Sequence, residues 1–151
     1  MRFDLKFKIC NLKLIFMSCV FCKIVNKEIP SEIIYENDKI MAFLDISPVN
    51  KGHTLVVTKE HYENSLVTPE EILRELIVAA KKVALAVKEA TGADGINLGI
   101  NNGKAAGQVI FHAHWHVIPR FLNDGYKMWG SKEYASKKEQ AEIAEKIRQQ
   151  L

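Results

Sequence analysis

Phe111-His112-Ala113-His114-Trp115-His116-Val117-Ile118 places three of the chain's five histidines at alternate positions in an apolar run of aromatic and β-branched residues. That alternation predicts a β-strand. Successive strand side chains point to opposite faces, so His112, His114 and His116 line one face while Phe111, Ala113, Trp115 and Val117 line the other. One face packs and the other carries chemistry. A strand rises about 3.3 Å per residue, which sets the outer two histidine backbones roughly 13 Å apart. Zn–N bonds of about 2.0 Å do not span that distance comfortably, so at most two of the three histidines share one metal.

The elements around this strand predict an α+β domain. Upstream, Glu32–Glu36 and Lys39–Leu44 are apolar runs joined by Asn37-Asp38, the pattern of a β-hairpin. Asp45-Ile46-Ser47-Pro48 is a loop, and Thr54–Thr58 is a third strand with His53 at its start. Thr68-Pro69-Glu70-Glu71 reads as a helix start with an N-cap threonine and a capping-box glutamate. That helix should run to about Ala90 and stop at Gly92. Its residues Ile72, Leu76, Ala79, Ala80, Val83, Ala84 and Val87 recur at spacings of three and four and should lie on the sheet, leaving Lys81, Lys82 and Lys88 in water. Gly95–Asn101 is a fourth strand, Asn102–Gly107 a loop whose glycines permit close backbone approach to a phosphate, and Ala135–Leu151 a polar terminal helix.

A chain of 151 residues, 48% hydrophobic, suits one domain with a sizeable core. Its net charge of +3 is contained in residues 1–17, where Arg2, Lys6, Lys8 and Lys13 face only Asp4. Residues 18–151 are neutral, which lends no support to nucleic-acid binding. No apolar run reaches the length needed to span a bilayer, and no small-x-small cleavage site follows the first apolar stretch. A cytoplasmic location is the expectation. Residues 1–17 read as an extension outside the domain, either non-native, with Met17 as an alternative start, or an added edge strand in which Leu5, Phe7 and Ile9 alternate with lysines. With three cysteines in all, a disulfide framework is not expected. Cys19-x-x-Cys22 then reads as a redox pair, as half of a metal site completed by histidines, or as two small buried hydrophobes.

The stretch Gly107–Arg120 resembles the signature of the histidine triad family of nucleotide hydrolases and transferases. Phe43–Pro48, Lys51–Val57, Lys59-Glu60-His61 and Asn101-Asn102-Gly103 are similar to further landmarks of its Hint-type branch, in the same order. The resemblance runs from about Ser18 to about Arg120 and identifies 18–151 as the domain. It implies the histidine triad fold: an antiparallel sheet with one long helix packed on it and a C-terminal helix, in symmetric dimers that form a larger continuous sheet. It implies cleavage of purine nucleoside phosphoramidates or related nucleotide esters through a nucleotidyl-histidine intermediate. By the same resemblance Asp45 accepts hydrogen bonds from the ribose, and Phe21, Ile24, Phe43 and Ile46 sandwich the base. Cys19, Cys22, His61 and His112 would hold a structural zinc, and no catalytic metal is expected.

Histidine chemistry agrees with that assignment. An imidazole is neutral near physiological pH, nucleophilic and able to leave again, which suits it to carrying a nucleotidyl group between two displacements. His114 is the candidate nucleophile, with His116, His53, Gln108 and Asn101 around the phosphate. Val109 stands where many relatives carry serine or threonine near the leaving group. Two further readings stay open, a dinucleoside polyphosphate hydrolase and a catalytically weak member that binds nucleotides or partners. A zinc hydrolase using the triad as ligands is disfavoured by the strand spacing.

Overall fold

The computed structural model describes residues 19–127 and 129–151. The expectations for residues 1–17 therefore lie outside the described residues. In chain order the elements are α1 (Val20–Val25), β1 (Ile33–Glu36), β2 (Ile40–Leu44), β3 (Thr54–Thr58), α2 (Glu70–Thr91), β4 (Gly95–Gly99), a 3-10 turn (Lys104–Ala106), β5 (His114–Arg120) and α3 (Lys137–Arg148). The strands form one antiparallel sheet in the order β1-β2-β3-β5-β4. This is the expected α+β architecture. Among the described residues, no helix is long and apolar enough to cross a membrane.

Both faces of the central strands are covered, which is why β2 and β3 read as nearly continuous apolar runs. On one face Ile40, Ala42, Val56 and Val117 pack against Ile72, Leu76, Ala79, Ala80, Val83, Ala84 and Val87 of α2, the full set foreseen from the helical spacing. On the other, Met41, Phe43, Leu55 and Val57 pack against Phe21 and Ile24 of α1. Trp115 and Val117 of β5 belong to the α2 side. His114 and His116, at alternate positions, therefore face the side that carries α1.

Three local expectations are corrected. Strand β5 begins at His114, not at Phe111. Residues 110–112 bend instead, with His112 N–H donating to Ile110 O at 2.9 Å, so His112 does not share the strand face of the other two. The hairpin link takes in Lys39 as well, because Asn37 Oδ1 accepts from both Lys39 N and Ile40 N. Helix α2 starts one residue beyond Pro69 without a side-chain cap. Thr68 lies one residue before the N-cap position, which Pro69 occupies, and its hydroxyl donates upstream to Asn64 O at 2.8 Å; the acidic first turn of Glu70 and Glu71 complements the helix dipole. The helix stops as expected at Gly92, whose φ of 66° is the left-handed conformation that glycine adopts at least cost. Ser136 and Glu139 cap α3, which has no buried residue.

Candidate functional site

Two histidine clusters meet at the start of β5. In the first, Cys19 and Cys22 flank the first turn of α1, His61 follows β3, and His112 precedes β5. The sulfur and nitrogen atoms approach one another closely: Cys19 Sγ–His112 Nδ1 3.5 Å, Cys22 Sγ–His112 Nδ1 3.5 Å, Cys22 Sγ–His61 Nδ1 3.3 Å and His61 Nδ1–His112 Nδ1 3.3 Å. Tetrahedral zinc, with Zn–N of about 2.0 Å and Zn–S of about 2.3 Å, sets its ligand atoms about 3.3–3.8 Å apart. The four residues anticipated as ligands thus converge with spacing that suits such an ion. The Nε2–H of His112 donates to Thr58 O at 2.7 Å, which leaves the Nδ1 lone pair aimed at the cluster. Burial holds His112 neutral, with its pKa at about 4, and pushes the Cys22 thiol up to about 12, with a further rise from its contact with Cys19. A cation entering here must displace the thiol proton, so metal uptake releases protons.

The second cluster contains His114, His116 and His53. The Nδ1–H of His114 donates to His112 O at 2.6 Å, leaving Nε2 with a free lone pair. Phe21 lies edge-on to the His114 ring, with centroids 5.1 Å apart. Burial lowers the pKa of His114, which favours the neutral ring with an unprotonated Nε2. A chain of bonds orients His116: Val49 N–H donates to His53 Nδ1 at 3.2 Å, which puts the His53 proton on Nε2, 3.0 Å from His116 Nδ1. His116 then carries its own proton on Nε2, as a donor. Burial and the neighbouring His114 and His53 hold its pKa at about 4. The Asp45 carboxylate lies 3.5 Å from His53 Nδ1, where it offsets positive charge on that ring, and its other oxygen accepts from Ser47 N at 2.8 Å.

The remaining expected residues fall in different places. Phe21, Ile24 and Phe43 form one buried group, with Phe21 and Phe43 edge-to-face at 5.6 Å, whereas Ile46 is 98% exposed on its loop. Asn101 lines a cavity of about 240 Å³ together with His53, His116, Leu98, Tyr126 and Trp129. Gln108 is buried beneath the loop before β5. Its Oε1 accepts from Gly103 N, and its amide donates to Glu63 O and Ile110 O, so its hydrogen bonds shape the loop backbone. Sequence reasoning missed the Arg120–Asp124 pair and Asn50, which tie the end of β5 to the loop bearing His53. Arg120 ends a strand and Asp124 lies in the loop after it, so the helical i, i+4 rule offered no signal for their pairing.

Comparison with known proteins agrees with this geometry. Residues 26–123 match the family described as the HIT domain. A HIT-like protein of Methanocaldococcus jannaschii is 50% identical over 107 residues, 71% of this chain and 82% of the relative. The adenylylsulfatase HINT3 of Arabidopsis thaliana is 42% identical over 113 residues, 75% of this chain and 56% of the relative. Among solved structures, a HIT family member from Bacillus subtilis superimposes with a TM-score of 0.82 at 38% identity, covering 89% of this chain and 97% of the other. A zinc-bound histidine triad family protein from Mycobacterium smegmatis gives a TM-score of 0.69 at 37% identity, covering 87% and 97%.

Proposed function

The chain belongs to the histidine triad (HIT) family, and from that premise we propose that it is a nucleotide hydrolase that forms a nucleotidyl intermediate on His114. The observation that carries this reading is the fixed tautomer of His114, with its proton on Nδ1 and its lone pair on Nε2. In the proposed reaction Nε2 attacks the α-phosphorus of a purine nucleoside phosphoramidate or related ester, and the bond from phosphorus to the leaving nitrogen or oxygen breaks. The departing group takes up a proton. Water then attacks the same phosphorus, releases the nucleoside monophosphate and frees His114. The Nε2–H of His116 donates to a phosphate oxygen as charge gathers there. Asp45 holds the ribose and the Phe21–Phe43 group holds the base. The similarity to a protein named adenylylsulfatase supports nucleotide hydrolysis in general.

Cys19, Cys22, His61 and His112 are proposed to hold one structural zinc, supported by their spacing and by the zinc-bound relative. Bound there, zinc would cross-link α1 to the segments around β3 and β5. A twofold dimer is also proposed. β4 is an outer strand of the sheet, and pairing it with a second copy would extend the sheet across both protomers. Hydrolysis of a fluorogenic adenosine phosphoramidate tests the enzymatic reading. Turnover by the wild type with loss in His114→Ala is expected; no turnover leaves a binding protein, and faster cleavage of a dinucleoside polyphosphate identifies that substrate class instead.

A further inference from the structure

His116 takes its orientation from His53, and His53 sits at the end of a loop, residues 45–53, whose middle is largely exposed. A loop of that kind does not hold a ring still unaided. Its anchor is Asn50. The two N–H bonds of the Asn50 amide are both used, one to Pro119 O at 2.9 Å and the other to Asp124 Oδ2 at 2.9 Å. The carbonyl of Asn50 accepts from His53 N at 2.9 Å, and the adjacent Val49 N–H donates to His53 Nδ1. Both backbone ends of this short bridge therefore act on His53.

Asp124 is itself held firmly. Its side chain is 8% exposed and takes Arg120 Nε and Nη2 in a two-pronged pair, each bond 2.6 Å long. Phe121 N and Tyr126 N also donate to it. Arg120 reaches across to β4 through Nη1, 2.6 Å from Asn97 Oδ1. The carboxylate thus joins the end of β5, the strand beside it and the His53 loop at one point. Pre-organised, charge-assisted bonds of this kind fix geometry more tightly than single neutral ones.

We infer that Asn50, held by Asp124, is a positioning residue that sets the His53 ring and, through the His53–His116 hydrogen bond, the proton position on His116. This inference rests on the proposed role of His116 in the reaction. Asn50 touches no substrate and acts only through His53. A displacement of about 1 Å at a reacting group is worth roughly 10²-fold in rate, and Asn50→Ala is expected to lower kcat by about tenfold because the Val49 N–H bond still guides the ring.

Two readouts test it. In nitrogen-15 histidine spectra of the wild type, His116 should carry its proton on Nε2, and Asn50→Ala should give a mixed state at His116 with His114 unchanged, since His114 is pinned by His112 O. In turnover, Asn50→Ala should have no further effect once His53→Gln is present, because residues acting through one another are non-additive. Asn50→Ser, which removes both amide bonds but keeps a small polar side chain, serves as the second variant should the alanine fail to fold. An unchanged His116 signal, a disturbance spread equally to His114, or a double variant as slow as the product of the two single effects overturns the inference. Absence of wild-type turnover would refute the proposed reaction alone, because the spectra read the position of the proton without it.

Discussion

The Nδ1–H of His114 is bound at 2.6 Å by the carbonyl of His112, so one residue of the triad fixes the tautomer of the next. The ring of His112 points elsewhere, to the cluster with Cys19, Cys22 and His61. The three histidines are thus divided between two clusters.

His114→Ala should abolish the covalent step while leaving nucleoside monophosphate binding largely intact, since Asp45 and the Phe21–Phe43 group lie outside the attacking nitrogen. Rapid quench and intact-mass analysis should detect a nucleotidyl adduct in the wild type that is lost in acid. An adduct mapping to any other residue would refute the assignment.

His116→Ala should slow turnover by about 10²–10³-fold, the loss of one donor to the developing phosphate charge, with the adduct still forming on His114. Single-turnover kinetics measure this directly. A loss as complete as that of His114→Ala would make His116 indispensable to bond formation.

Purified protein should contain about one zinc per chain, and Cys22→Ser should contain far less. Chelation of the wild type should lower its melting temperature, because an ion bound only by the folded chain stabilises it. Elemental analysis showing both proteins empty after zinc-replete expression would refute the site.

Stability should fall as the pH drops from about 6.5 to about 4. Burial holds His116 at about 4 and also lowers His53, whereas both titrate near 6.5 in the unfolded chain. Across that window the unfolded state binds more protons than the folded state, so acid favours unfolding; above 6.5 neither state is protonated and this contribution is flat. Urea melts of His116→Gln should show a shallower slope between these pH values than the wild type.

Leu76→Ala should cost about 2–5 kcal/mol, because Leu76 is fully buried between α2 and the sheet. Denaturant unfolding of both proteins measures the difference.

Much of this was legible from periodicity and short-range spacing. The apolar face of α2 agrees residue by residue, because a helix of that length repeats its pattern six times over. The convergence of Cys19, Cys22, His61 and His112 followed from family resemblance; four residues scattered over ninety positions carry no local signal of proximity. His112 leaving the strand was not visible. Alternation looks the same whether the backbone continues straight or bends, and the bend depends on bonds such as those Gln108 makes to Gly103, Glu63 and Ile110. Thr68 failed as a cap for a similar reason: the backbone turn places Pro69, which has no polar side chain, at the N-cap position and leaves Thr68 one residue upstream, bonded to Asn64. The Asn50–Asp124 bond joins positions 74 apart, beyond any reading of pattern.

Helix α1 spans six residues, too few to hold together alone in water. It becomes helical only where Phe21 and Ile24 find the sheet and where the flanking cysteines meet His61 and His112, residues delivered by β3 and β5. Order of assembly follows from that dependence. The two central strands must pair before the wall beside His114 can close, so this wall should form after β3 and β5 pair and open before they part. Amide protons of residues 20–25 should exchange with solvent ahead of those in β3 and β5, and the proposed catalytic pocket would be complete only in chains that have finished folding.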